Sequence, residues 1–379
     1  MDALVNERVC SFAMRACFWG SVLPGLLGLG AAACSSTPAT GSDAGSDAAA
    51  PEGGSDVTPP PADGGTTTKG QSLIWVWNDY PGSLASVSAN SKSFTHVSPT
   101  LYDINYAYTS GVAHFTSNNQ TDDFDGLTST QIAQQIHAGG MKCVPLVFGG
   151  AGNAGTDQGI HAILDDAGGA QNAFITSMVD EAVAKGYDGY NLDWEVDSSQ
   201  TTYADYGAKL ETFLAAFKAA LHQHGMQLSF DLGTWYLKQT YCSGGNGVVD
   251  LTAIGPNVDL AILEAYSSNL GTPSTSCPAS LTNPQLCSDD FISEINLMCV
   301  YVPNAAISIG FNANPTTGSN DVAGSVVSTT QAYGIHNVAI WPDYNTDGPN
   351  GAYVFLDAKN IAPANATWFQ LLADFLAAQ

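Results

Sequence analysis

The sequence predicts an α/β fold, a single (β/α)8 TIM barrel, and three observations carry that expectation. Eight short apolar runs alternate with longer amphipathic stretches. The alternation fills about 300 residues, the size of eight strand–helix units. No glycine-rich dinucleotide fingerprint appears, which disfavours the runner-up, a doubly wound open sheet. Strands that alternate with helices pair in parallel, because each crossover helix returns the chain to the same end of the sheet.

The runs begin with LIWVWN (residues 73–78) and FTHVSPTLYDI (94–104). A helical pattern, TSTQIAQQIHAGG, leads to the third, KCVPLVFG (142–149). The helix AQNAFITSMVDEAVAKG precedes the fourth, YDGYNLDW (187–194), and TYADYGAKLETFLAAFKAALHQHG precedes the fifth, QLSFDLG (227–233). The sixth is VDLAILEAY (258–266), followed by the helix DDFISEINLMCVY and the seventh run, AAISIGF (305–311). The helix DVAGSVVSTTQAYG leads to the eighth, NVAIWP (337–342), and ATWFQLLADFLAA closes the chain. Several helices end in Gly, as the position after a helix prefers. The folded part shows no internal repeat.

The fourth run carries the chemistry. In GYDGYNLDWEVD (186–197), Asn191, Asp193 and Glu195 fall on one parity and Tyr190, Leu192 and Trp194 on the other. Alternate side chains of a strand face opposite ways. The apolar set therefore suits the helix side, and the polar set points into the barrel, climbing towards the C-terminal mouth where barrel enzymes keep their chemistry. Buried acids are costly unless paired or neutral. Asp193 and Glu195 are close enough to disfavour double ionisation, the usual preparation of a general acid. A polar network that only stabilises the barrel is the plain alternative, although aliphatics would serve stability better. A Mg²⁺ or Ca²⁺ site needs more oxygen ligands than this strand offers, with Asp259 and Glu264 the obvious additions. No metal and no cofactor is expected.

Composition narrows the partners. Acids outnumber bases 35 to 10 in 379 residues, a formal net charge of −25. Such a surface repels phosphate backbones, so nucleic acid is excluded as a partner, whereas a neutral sugar polymer is compatible. Residues 1–34 form a separate segment. Arg8 and Arg15 precede the apolar run ACFWGSVLPGLLGLGAAAC, the pattern of an export signal. Pro24 and several glycines make it short and broken for a membrane span. Its end, GAAACSS, resembles a bacterial lipobox with Ala31 where Leu is usual, and Cys34 as the lipidated first residue. The expected contact with a membrane is that anchor alone, giving a cell-envelope lipoprotein, with simple cleavage and secretion as the alternative. Residues 35–70 are rich in Ser, Ala, Gly, Pro, Thr and Asp and lack aromatics. They predict a disordered tether, leaving residues 71–379 as one catalytic domain.

Among the remaining cysteines, Cys143 lies in an apolar run and reads as a buried free thiol. Cys242, Cys277, Cys287 and Cys299 could form two disulfides outside the cytosol, in any of three pairings. No CxxC or His-rich spacing supports metal ligation. The histidines are scattered and read as structural or surface groups.

Asp188-Gly189-Tyr190-Asn191-Leu192-Asp193-Trp194-Glu195 resembles the DGxDxDxE hallmark of glycoside hydrolase family 18, the chitinase-type barrels. It lies on the fourth expected strand, as that family requires, and the other strands agree in order over residues 72–379. Asp259, Glu264 and Tyr266 hold the spacing of the family's sixth-strand residues. Trp341 matches its eighth-strand Trp, and Val147 to Gly150 its SxGG. Three positions depart: Asn191 replaces the middle Asp, Glu264 replaces Met or Gln, and Val147 replaces Ser. The Asn variant resembles members acting on chitobiose or spore peptidoglycan, and THVSPTLYDINY (95–106) resembles the second strand of the latter.

The resemblance implies retaining, substrate-assisted hydrolysis of β-1,4-linked N-acetylglucosamine polymers, chitin-like or peptidoglycan. Glu195 would be the acid and base, with Asp193 and Tyr266 orienting the acetamido group and Asn191 supporting Asp193. Trp341 is the expected sugar-stacking face, Glu264 a third carboxyl near the pocket, and Tyr102, Trp77 and Trp235 aromatics at strand ends that could touch sugar or simply pack. A non-catalytic carbohydrate-binding protein and an endoglycosidase trimming N-glycans are the rival functions. A monomer is expected.

Overall fold

A computed structural model describes residues 70–77, 82–104, 116–117, 126–149, 154–195, 206–234, 237, 240–241, 249–266, 271, 276–278, 290–312, 323–342, 344–345, 354–355 and 368–379. The export segment, Cys34 and the tether fall outside these residues, as do Trp235, Cys242 and Cys287. The barrel lies within the unit Gly64–Gln379.

All eight expected strands form. They are β1 (Gln71–Val76), β2 (His96–Asp103), β3 (Leu146–Gly149), β4 (Gly189–Trp194), β5 (Gln227–Gly233), β6 (Leu260–Glu264), β7 (Ile307–Asn312) and β8 (Asn337–Trp341). Each pairs in parallel with the next in sequence, β3 being preceded by a two-residue strand, Lys142–Cys143, that also pairs with β2. β8 returns to β1 and β1 pairs with β2, so the sheet closes. The helices are α1 (Ser83–Ala89), α2 (Ser129–Ala138), α3 (Ala154–Leu164), α4 (Ala170–Lys185), α5 (Tyr206–His222), α6 (Leu251–Asn257), α7 (Phe291–Tyr301), α8 (Ala323–Ala332) and α9 (Trp368–Ala377). Among the described residues, no helix is long and apolar enough to cross a membrane. α4 stops at Gly186, whose φ of 78° few other residues adopt.

Two apolar cores follow from the parity of the strands. The outer one packs helices on the barrel. There Trp194 stacks on Phe213 of α5 with ring centroids 4.9 Å apart, and the Tyr190 hydroxyl donates to the Met178 carbonyl of α4 at 2.9 Å. The inner one is smaller: Leu73, Trp75, Val144, Leu146, Leu260, Ile262 and Ala339, with Phe148 and Trp341 packed on it. The register puts Asn191 beside Leu146 and Ser229, Asp231 beside Ile262, and Glu264 beside Gly233 and Gly310. The polar parity of β4 thus shares the interior with polar positions of β5 and β6. Gly310 is favoured there, because a Cβ would sit 2.9 Å from the Leu263 carbonyl and 3.1 Å from the Trp75 ring.

The bottom of the barrel is clamped by two aspartates that do not reach the mouth. Asp188, just before β4, accepts from the Cys143 amide at 2.8 Å and pairs with His137 at 2.8 Å. Asp259, just before β6, accepts from the Leu228 amide at 2.8 Å and pairs with His222 at 2.9 Å and Lys218 at 3.4 Å. Asp259 is therefore no pocket residue and no partner for an ion beside Glu195, despite its spacing from Glu264 and Tyr266. Gly189, with φ of 145°, follows the first clamp, and a Cβ there would collide with the Gln227 carbonyl and amide. Those two contacts give the leading Asp-Gly of the motif a purely structural job. Cys143 is free and buried, and Cys277 bonds to Cys299.

Candidate active site

β4 ends at Trp194, and Glu195 follows it, its amide held by the Gly149 carbonyl at 2.8 Å. That bond extends the β3–β4 ladder one step and fixes Glu195 half-buried at the mouth. Asp193 lies one interior position below and is buried. Below it, Asn191 is fully buried and its amide has a single orientation. Trp75 Nε1 can only donate, and it donates to Asn191 Oδ1 at 2.8 Å, as does the Ser98 hydroxyl at 3.2 Å. Asn191 Nδ2 is then left to donate to Asp231 Oδ1 at 2.8 Å. The other oxygen of Asp231 accepts from Trp75 Nε1 at 3.2 Å.

Asp231 of β5 was not singled out from the sequence. A signal existed: Ser229, Asp231 and Gly233 alternate with Leu228, Phe230 and Leu232 just as the polar set of β4 does. Trp75 and Ser98, the other members of the network, lay in runs that read as apolar strand.

Asp193, Asp231 and Glu264 each bring a carboxylate oxygen within 4.8 Å of the others. Carboxyls this close cannot all ionise. Burial first, then the charge of Asp193, pushes Asp231 well above the usual carboxylate range, against the hydrogen bonds from Asn191 and Trp75. Glu264 is pushed up by burial, then by Glu195 and Asp231, against a hydrogen bond from Tyr266. The Tyr266 hydroxyl is likewise driven towards its neutral form by burial and the surrounding acids. The proton expected within the Asp193–Glu195 pair thus has at least two further holders in the pocket. A cation could bridge three such oxygens, but N–H donors already engage both oxygens of Asp231, which favours a hydrogen-bonded carboxyl cluster over an ion.

The aromatics divide. Trp341 meets Trp75 with centroids 6.0 Å apart and Trp77 at 5.8 Å, and Trp77 meets Phe148 at 6.0 Å. Trp77 and Trp341, both half-buried, thus form one aromatic wall with Phe148. Tyr102 does not join them. It is fully buried, and its hydroxyl donates to Glu181 of α4 at 2.9 Å and meets the Tyr187 hydroxyl at 3.1 Å. The reason is a register shift between Thr100 and Tyr102 against β3, which turns Tyr102 to the helix side.

The family model "Glycosyl hydrolases family 18" matches residues 77–361. No curated protein matches the sequence. Among solved structures, the chain is similar to catalytic domain 2 of the Ostrinia furnacalis Group II chitinase, at 11% identity and TM-score 0.59 over 82% of this chain and 97% of that one. It is similar to a chitinase of Chromobacterium violaceum, at 17% identity and TM-score 0.53 over 81% and 99%. It is also similar to the spore cortex-lytic enzyme SleL of Bacillus cereus, at 16% identity and TM-score 0.50 over 72% and 70%. At such identities these likenesses speak for the fold. The family match spans three-quarters of the sequence, and with the barrel and the motif on β4 it leads to one conclusion: this chain belongs to glycoside hydrolase family 18 and is a glycoside hydrolase.

Proposed function

We propose that the chain hydrolyses β-1,4-linked N-acetylglucosamine glycans, chitin-type or peptidoglycan, by retaining, substrate-assisted catalysis. The observation that carries this reading is Glu195 at the mouth of β4 with the buried Asp193 one interior position below it on the same strand, poorly placed to stand across a scissile bond from it. A retaining enzyme with a protein nucleophile sets its two carboxyls about 5 Å apart on either side of the scissile bond. Here Asp193, Asp231 and Glu264 cluster together inside the barrel.

The substrate's own acetamido oxygen then serves as nucleophile. It bonds to the anomeric carbon as Glu195 gives its proton to the leaving glycosidic oxygen, forming an oxazolinium. Glu195, now a carboxylate, takes a proton from water, whose oxygen bonds to the anomeric carbon and reopens the ring. Asp193 accepts from the acetamido N–H and balances the developing positive charge, electrostatic work done by a preplaced group. Tyr266 donates to the acetamido oxygen. Trp341 and Trp77 offer faces for the apolar side of a pyranose. The names of the similar structures, chitinases and a spore cortex-lytic enzyme, agree with an amino-sugar polymer. Export through residues 1–34, with Cys34 as a lipid anchor, would bring a monomeric enzyme to such a polymer outside the cell.

The test is a panel of chitin oligomers, peptidoglycan, high-mannose glycopeptide and cellulose, with product analysis. New reducing ends from the first two, with retained anomeric configuration, are expected. Glu195→Gln abolishes turnover by at least about a thousandfold and keeps oligosaccharide binding. Efficient cleavage of cellulose, or turnover by Glu195→Gln, would refute the mechanism. Cleavage of the glycopeptide alone would move the substrate to N-glycans.

A further inference from the structure

The interior holds two carboxyls beyond those the mechanism uses on β4, Asp231 and Glu264, and the surroundings of Asp231 are built around it. Asp231 is almost wholly buried, and both of its oxygens are engaged. Three strands take part: Trp75 from β1 and Asn191 from β4 donate to it, and Ser98 from β2 helps fix the Asn191 amide that does so. Burying a carboxyl costs several kcal/mol, and neutral donors offset that only in part. Interior neighbours such as Leu146 and Ile262 show what a purely structural filling looks like. The groups that face Asp231 are Asp193 and Glu195 from β4 and Glu264 and Tyr266 from β6. Among its described partners no cation stands by to neutralise it.

We infer that Asp231 is a positioning residue for Asp193: held in one rotamer by Trp75 and Asn191, it is the fixed partner with which Asp193 shares a proton and from which Asp193 takes its aim at the acetamido group. This deepens the proposed function and rests on it. Asn191 cannot fill that place itself, because an amide holds no exchangeable charge, so the partner acid stands on β5, where Asn191 donates to it. The shift of Asp231 towards its neutral form agrees with the sharing, and the oxygens of Asp193 and Asp231 come within 4.8 Å, close enough for the two acids to titrate as a coupled pair.

Asp231→Asn keeps shape and removes the proton-sharing group. Expected are a kcat lowered about 10- to 100-fold with KM within about threefold, and an acid limb of kcat/KM moved up by about one pH unit, because Asp193 loses the shared proton that favours its ionised form. The exchange variant Asn191→Asp/Asp231→Asn returns the acid to β4 and is expected to recover at least half of the lost kcat on a logarithmic scale. A purely structural Asp231 predicts the opposite: lower Tm, an unmoved pH profile, and no recovery on exchange. A wild-type kcat and acid limb in Asp231→Asn would overturn the inference, as would a folded exchange variant no better than the single one. A readout without turnover is carbon NMR of aspartate-labelled wild-type protein, assigned with Asp193→Asn. Asp193 and Asp231 titrating as a coupled pair in two steps is expected, and independent single-step curves would overturn it even if Asp231→Asn failed to fold. Turnover by Glu195→Gln would sink the catalytic reading while leaving the coupled titration of Asp193 and Asp231 untouched.

Discussion

Trp75→Phe tests the network beneath Asp193 most directly. The indole N–H is the shared donor to Asn191 Oδ1 at 2.8 Å and Asp231 Oδ2 at 3.2 Å, and Phe offers nothing in its place. Asn191 keeps the Ser98 hydroxyl at 3.2 Å, so its oxygen is not orphaned, but the Asp231 oxygen is. An acceptor left unsatisfied in the interior costs about 1–3 kcal/mol. The missing ring portion opens a void over Gly310, which lies against the Trp75 ring, worth about 1 kcal/mol at roughly 24 cal/mol per Å³. Together these give about 2–4 kcal/mol, or ~3–6 °C in Tm for a domain of this size. The assay is a thermal melt at fixed scan rate, paired with kcat and KM on a chitin oligomer, and kcat should fall more than KM rises. A Tm within about 1 °C of wild type, with kcat unchanged, would refute the assignment of Trp75 as the donor that orders Asn191 and Asp231.

Three further outcomes are expected. Tyr102→Phe removes a hydroxyl shared with Glu181 and Tyr187, so stability in urea drops by about 1–2 kcal/mol while kcat/KM is unchanged; weakened sugar binding at full stability would return Tyr102 to the pocket. Gly189→Ala drives a Cβ into the Gln227 backbone, and little folded protein should be recovered on expression, whereas a normal yield and Tm would show that β4 and β5 can separate there. His96 is held down to about 4, first by burial and then by Lys142. The unfolded state therefore binds more protons, so stability is full above about 6.5 and is lost as pH falls towards 4, at up to ~1.4 kcal/mol per pH unit. His96→Gln should flatten that slope in denaturant titrations between pH 7 and 4.5, and an unaltered slope would count against it; part remains, because burial holds His161 down to about 4 as well.

The barrel was legible because each strand is a compact apolar run bounded by turns or helices, and the period-two pattern of β4 gave the interior face without any coordinates. What escaped were elements whose composition disguises them. α6, LTAIGPN, carries Gly and Pro inside a short helix, and α3, AGTDQGIHAIL, carries two glycines. In the site, parity worked for Asn191, Asp193 and Glu195 because no irregularity interrupts β4. For Tyr102 the choice between sugar contact and packing stayed open in the sequence, because the shift in register that turns it to the helix side leaves no mark in the residues. Asp259 misled through spacing alone: it precedes the strand and belongs to the opposite end of the barrel from Tyr266. Asp231 escaped because its alternation with Leu228, Phe230 and Leu232 marks an interior position but no role, which emerges only with its neighbours on β1 and β4.

The two aspartate clamps, Asp188 with His137 and Asp259 with His222, sit at the end of the barrel away from Glu195. Each ties a strand start to the strand beside it and to a helix end. The clamp partners lie outside the stretches from Glu195 to α5 and from Tyr266 to α7, so exchanging those stretches leaves these fastenings in place. An engineer grafting new specificity segments after Glu195 or Tyr266 would be working on a chassis bolted from underneath, and the choice of graft would be governed by its fit to the sugar rather than by its effect on the frame.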